Sequence, residues 1–287
     1  MSEARHSIHQ HGPGPFLTWI VRAVDAEHQL QTSRRARKRL AALTVPTAGE
    51  SPLAASERVS HHWLRFWAPQ RLAWWVAVLF MIGSLFFAVG GMRAAWPDLA
   101  DMQWLDTILL GPVFFTGSLF FTAAGYLQFY EALNSDFAEG SAERRFIGWH
   151  PRNLGYLSSL SQLVGTVLFN INTADAMLAG LGWEGEDLLV WTPNMVGCVC
   201  FLVASQLAVV EFSHRWIAFQ PRQLAWWIVA LNMAGSILFM ASGIASFMEI
   251  DGSIAAPFAT NVGTFAGAVC FFLGAYLLVP EQFEVTA

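Results

Sequence analysis

The sequence predicts an all-α polytopic membrane protein, with six transmembrane helices arranged as three parallel helical-hairpin repeats around a pseudo-threefold axis. Three observations lead there. Of its 287 residues 55% are hydrophobic and only 13% charged, against about one quarter charged in soluble domains. Six stretches, near 71–91, 108–130, 153–174, 189–211, 223–247 and 259–280, have the roughly 20 apolar residues that a helix needs to cross about 30 Å of hydrocarbon. And one apolar phrase is written twice: "PQRLAWWVAVLFMIGSLFF" at 69–87 and "PRQLAWWIVALNMAGSILF" at 221–239.

Residues 1–60 precede the first span and contain no short apolar run followed by a small-residue cleavage site, so no signal peptide is expected. In "PFLTWIVRAVDAEHQLQ" the residues Phe16, Trp19, Ile20 and Val24 fall at helical spacing, and "SRRARKRL" follows. An amphipathic helix lying on the membrane is therefore expected, with Arg34, Arg35, Arg37, Lys38 and Arg39 drawn to anionic headgroups. A partner-binding tail is the competing reading. His6, His9 and His11 are too loosely spaced to define a metal site.

The first hairpin occupies 61–150, the second 151–220, and the third 221–287 with a short tail. With Pro69, Pro151 and Pro221 at a common origin, Leu72, Leu154 and Leu224 coincide. So do Gly83, Gly165 and Gly235, then Phe87, Phe169 and Phe239. On the even helices Gly117, Gly197 and Gly267 align, followed by Phe121, Phe201 and Phe271, and finally by Glu131, Glu211 and Glu281. Positions 4, 8 or 11 apart share a helix face, and small residues let helices approach closely in lipid. The six glycines are expected at helix contacts, each beside a neighbour's ring.

Charge placement orients the chain. Of the 16 Lys and Arg residues, 15 fall on the side shared by both termini and the 2–3 and 4–5 connections, leaving Arg93 alone opposite. The opposite connections hold nine acids: Asp98, Asp101, Asp106, Asp175, Glu184, Glu186, Asp187, Glu249 and Asp251. The positive-inside rule then puts both termini in the cytoplasm. The ratio of 15 arginines to one lysine suggests a GC-rich genome and a bacterial plasma membrane.

Candidate sites are sparse. Glu131, Glu211 and Glu281 end the even helices, where an acidic ring could select cations; alternatively each staples to Arg71, Arg152 or Arg222, which open the odd helices. Gln162, Asn170 and Asn232 could line a cavity for a polar solute, or bond neighbouring helices. Trp74, Trp75, Trp226 and Trp227 sit where an aromatic belt belongs. The cysteines Cys198, Cys200 and Cys270 read as small apolar filler. No span contains histidine, which excludes a bis-histidine haem, and no nucleotide-binding, HExxH or nucleophile-elbow motif occurs. No metal, cofactor or nucleic-acid partner is expected.

The words "GSLFF" at 83–87, "GTVLF" at 165–169 and "GSILF" at 235–239 resemble the first-helix signature of YrhK-like two-helix membrane domains. The resemblance implies three tandem copies over about 70–280 and assigns no functional residue. Mitochondrial-type carriers also have three two-helix repeats, but their Pro-x-Asp/Glu-x-x-Lys/Arg motif is missing. The expectation is a non-enzymatic structural or membrane-organising component; the alternative is a small-solute or ion transporter with a cytoplasmic glutamate ring.

Overall fold

A computed structural model describes residues 8–24, 27–46, 49–98, 107–135, 145–247 and 249–286. Asp101, Asp106, Arg144 and His6 lie outside them. The protein is mostly helical, at 64% helix. Six helices are long and apolar enough to cross a membrane: α3 (Leu72–Ala95), α4 (Thr107–Leu133), α5 (Leu154–Asp175), α7 (Thr192–Ser213), α8 (Leu224–Ala245) and α9 (Pro257–Glu281). At 22 to 27 residues each they are roughly 33–40 Å long. The short α6 (Trp183–Glu186) and a π-helical turn over Asp187–Trp191 lead into α7, extending that span beyond its expected start.

Each long helix packs against its sequence neighbours, and α9 returns to pack on α3, so the six close into a ring. Close contact inside each hairpin rests on paired glycines. A Cβ on Gly83 would lie 2.7 Å from the Phe121 ring and 2.9 Å from the Gly117 carbonyl oxygen. Gly165 faces Phe201 and the Gly197 carbonyl in the same way, and Gly235 faces Phe271 and the Gly267 carbonyl. Reciprocally, Gly117, Gly197 and Gly267 meet Phe87, Phe169 and Phe239. In lipid, where burying apolar surface gains little, such fit is what holds helices together.

The phenylalanines meet on the ring's interior. Centroids of Phe87, Phe169 and Phe239 are 5.8 to 6.4 Å apart, and each also packs on its hairpin partner, at 5.2 Å for Phe87–Phe121, 4.9 Å for Phe169–Phe201 and 5.1 Å for Phe239–Phe271. All six are at most 8% exposed and belong to one core. Between hairpins, the small residues of even helices meet hydroxyls of the next odd helix. Gly125 abuts Thr166, and Ser205 hydrogen-bonds Ser236 at 2.8 Å.

The N-terminal arm departs from the helical expectation. It forms an antiparallel meander of β1 (Ile8–His11), β2 (Trp19–Val24), β3 (Glu27–Thr32) and β4 (Leu43–Val45), in that spatial order. Val21 pairs with Leu30 and Leu30 with Leu43, so strand alternation brings them onto one face with Val45, where Ala55 of the short α2 (Pro52–Ser56) covers them. Ile20, on the other face, is buried as well. The i, i+3, i+4 pattern that suggested a helix also fits a strand whose two faces are both covered, and the β-branched Thr18, Ile20 and Val21 favour the strand. Finally β5 (Val59–His61) pairs with β6 (Glu284–Thr286), tying the arm to the C-terminus.

Candidate functional site

The carboxylates Glu131, Glu211 and Glu281 end α4, α7 and α9 and are 8%, 1% and 3% exposed. Isolated buried charges cost several kcal/mol each, so partners are obligatory. They come from the short helix α1 (Ser33–Arg37), inserted between β3 and β4. Thr32 caps it, its Oγ1 accepting from the Arg35 backbone N–H at 3.2 Å. Helical spacing i, i+3, i+4 then sets Arg34, Arg37 and Lys38 on one face. Arg37 lies 2.8 Å from Glu211 and 3.8 Å from Glu131. Arg34 donates to Glu281 at 2.9 Å, and Lys38 pairs with the other oxygen of Glu281. Ser33 donates to Glu211 at 3.2 Å. Three cations from one helical turn thus meet three carboxylates from three helices, and the cluster is formally neutral.

This corrects two expectations. Arg71, Arg152 and Arg222 are exposed, and among the described residues none forms an ion pair with the glutamates. Arg71 instead donates to the Gln282 carbonyl and lies over the Phe283 ring. The polybasic run does not lie on lipid: Arg34, Arg35, Arg37 and Lys38 are all buried, and Arg39, at φ 54°, is the exposed member. Arg35, off the α1 face used by the others, grips Glu284 of β6 through both amino groups, at 3.1 and 2.6 Å. The physical reason is depth. The carboxylates are buried, and α1, which packs on α5 and α7, brings Arg34, Arg37 and Lys38 within reach of them.

Gly155 makes the central pair possible. It stands where the other odd helices have Ala73 and Ala225, and a Cβ there would collide with the Glu211 carboxylate and approach Arg37 Nε. Burial opposes the Arg37 charge, yet Glu211 and Glu131 hold its affinity for the proton above the ordinary value. For Lys38 burial outweighs Glu281, and its pKa falls to about 8.

Beneath α1 lies an axial cavity of about 70 Å³, room for a handful of waters. Arg34, Arg37 and Lys38 roof it, Gln128, Gln162 and Asn232 border it, and Phe80, Phe121, Phe201 and Phe271 line its apolar part. Gln128 donates to Gln162 at 3.2 Å, and Asn232 to the Ile228 carbonyl at 2.8 Å. Asn170 does not border it. That side chain joins α5 to α4 by donating to Thr122 at 2.9 Å. Among the described residues no cluster of three His, Cys, Asp or Glu side chains is placed to hold a metal ion.

A further feature escaped the sequence reading because it lies upstream of the spans. Trp74 donates to the Phe66 carbonyl, Tyr156 to Gly148 and Trp226 to Ala218, at 2.7, 2.7 and 2.9 Å, each to a residue eight positions earlier. Every odd helix thus folds its preceding loop back upon itself and pushes an apolar knob outward: Trp63, Leu64 and Trp67; Phe146, Ile147 and Trp149; Trp216, Ile217 and Phe219. Leu64, Ile147 and Ile217 are 87–90% exposed. The signal was available, since an aromatic–aliphatic pair stands four to six residues before each of Pro69, Pro151 and Pro221.

No family model matches the chain, and neither a curated protein nor a solved structure matches it.

Proposed function

We propose that this integral membrane protein is a non-enzymatic, membrane-organising component whose ring is built from three copies of one hairpin, related by an axis along the membrane normal, with both termini in the cytoplasm of a bacterial plasma membrane. The observation that carries this reading is the double closure of the axis. Six phenyl rings fill its middle, and a neutral ion cluster covers one end. A closed ring that fixes a folded domain at its end is suited to hold that domain at the inner face, and its outward knobs are of the kind that anchor at headgroup level. The likeness of the three glycine–phenylalanine contacts supports the threefold relation, and the proposed YrhK-like origin of the hairpins rests on their sequence words alone.

The test is solute flux through the protein reconstituted in liposomes, together with labelling of single cysteines placed along α5 and α8 in a background lacking the native three. We expect no flux above empty liposomes, and labelling confined to the helix ends. The polar border at Gln128, Gln162 and Asn232 favours a second reading, a small-solute or ion transporter seen in a closed state. Flux abolished by Gln162→Leu or Asn232→Leu, with labelling at mid-helix, would establish it and overturn the first.

A further inference from the structure

Beside the ion cluster lies a second, larger cleft of about 410 Å³, within the size range of ligand pockets, whereas the axial cavity falls below it. One wall is the start of α8, with Arg222, Gln223 and Leu224; the facing wall is the N-terminal sheet and its helix, with Arg34 and Arg35. Trp63 and Trp227 border it and are each about half exposed. The cleft therefore sits at the end of a membrane span, at the depth where tryptophan meets lipid headgroups.

Its polar groups are only partly satisfied. Arg34 is held by Glu281 and Arg35 by Glu284. Arg222 is exposed and, among the described residues, has no ion pair, which leaves the walls net cationic. The first turn of α8 has no side-chain cap, so its N–H groups add positive potential. Gln223 is 5% exposed. Its Nε2 donates to the Leu53 carbonyl at 2.8 Å, which fixes the amide and leaves a buried Oε1 with no donor. A buried acceptor left without a donor is costly. His214 borders the same cleft, and neither of its nitrogens has a partner. Arg222 and the uncapped α8 terminus thus present positive charge, and Gln223 an unpartnered acceptor, to one cleft.

We propose that this cleft binds a phospholipid headgroup bearing an N–H or O–H donor, such as phosphoethanolamine or phosphoglycerol, with the phosphate at Arg222 and the α8 N-terminus and the donor on Gln223 Oε1. Phosphocholine offers the same phosphate and no donor, so it fills the first half of the site and fails the second. The assignment needs only that the chain spans a membrane, and it stands whether the axis conducts or not.

The purified protein would be reconstituted in phosphatidylcholine nanodiscs doped with phosphatidylethanolamine or phosphatidylglycerol, and retained lipid would be counted by native mass spectrometry after delipidation. Expected is several-fold preferential retention of the two donor lipids over phosphatidylcholine. Arg222→Gln, at an exposed and unpaired side chain, should lower retention of all three about tenfold, and Arg222→Lys should restore much of it. Gln223→Leu should remove the preference while leaving retention. Equal retention of phosphatidylcholine by the unaltered protein, or unchanged retention in Arg222→Gln, overturns the proposal. Stabilisation by free phosphoethanolamine or glycerol phosphate that equals that by lipid would assign the cleft to a soluble ligand and overturn the lipid assignment.

Discussion

Arg37 and Glu211 meet 2.8 Å apart although 174 positions separate them, and their side chains are only 8% and 1% exposed. One contact thus joins a helix inserted in the N-terminal sheet to the end of a transmembrane helix, with both side chains buried.

Removing one member of that pair should strand the other. Arg37→Met is expected to destabilise the docked arm by about 3–5 kcal/mol, the range for breaking a buried pair, whereas Arg37→Met combined with Glu211→Met should recover a large part of the loss. Limited proteolysis of residues 8–60 in the detergent-solubilised protein, with thermal unfolding beside it, measures both. Equal protection of both variants and the unaltered protein would mean that the cluster contributes nothing to docking.

Gly155→Ala tests the space on which the pair depends. The new methyl would press on Glu211 and Arg37, and overpacking of this kind costs about 1–3 kcal/mol. The reverse change at the matching position, Ala225→Gly, meets no such crowding, and its effect should stay within about 1 kcal/mol. Unfolding midpoints of the two variants, taken under one condition, give the comparison.

At mid-bundle, Phe239→Ala removes a ring that touches Phe87, Phe169 and Phe271. Large-to-small changes of this kind cost about 3–5 kcal/mol in soluble cores. The expected loss here is nearer the lower figure, because the unfolded reference in lipid is itself apolar and only packing is forfeited. The vacated space should also join the axial cavity, so a cysteine at position 232 should label faster in this variant.

Acid should loosen the docked arm through His214. This residue ends α7 in the left-handed conformation, at φ 59°, and burial lowers its pKa to about 4, with Glu211 only partly offsetting that. An undocked His214 takes up a proton near pH 6.5. Its stabilisation is thus complete above that pH and is lost as pH falls from 6.5 towards 4, by roughly 2 kcal/mol at pH 5. Protease protection measured at pH 7 and pH 5 should show the loss, and His214→Asn, which tolerates the same backbone, should abolish it. Lys38 acts in the same direction at higher pH. With its pKa lowered to about 8, the undocked state holds the extra proton between pH 8 and 10.5, and docking tightens as pH rises across that window.

Much of this was legible beforehand in the spacing of residues. Helix positions followed from apolar length, because a bilayer imposes one on any span. The glycine and phenylalanine alignments anticipated which residues would touch, since a 3.6-residue period turns spacing directly into a shared face. Gln162 and Asn232 border the axial cavity. Asn170 was not distinguished from them, because the direction in which a polar residue points inside a bundle depends on the rotation of its helix.

By itself the sequence determined how many spans the chain makes and which glycines and rings would interlock, because both are properties of local periodicity within a bilayer of set thickness. Only the tertiary structure decided who neutralises whom. Glu131, Glu211 and Glu281 had nearby arginines in the chain at Arg71, Arg152 and Arg222, yet they took Arg34, Arg37 and Lys38. Charge attraction is indifferent to separation along the chain and depends steeply on depth and solvent. The short helix inserted between β3 and β4 carries the cations that reach the buried carboxylates.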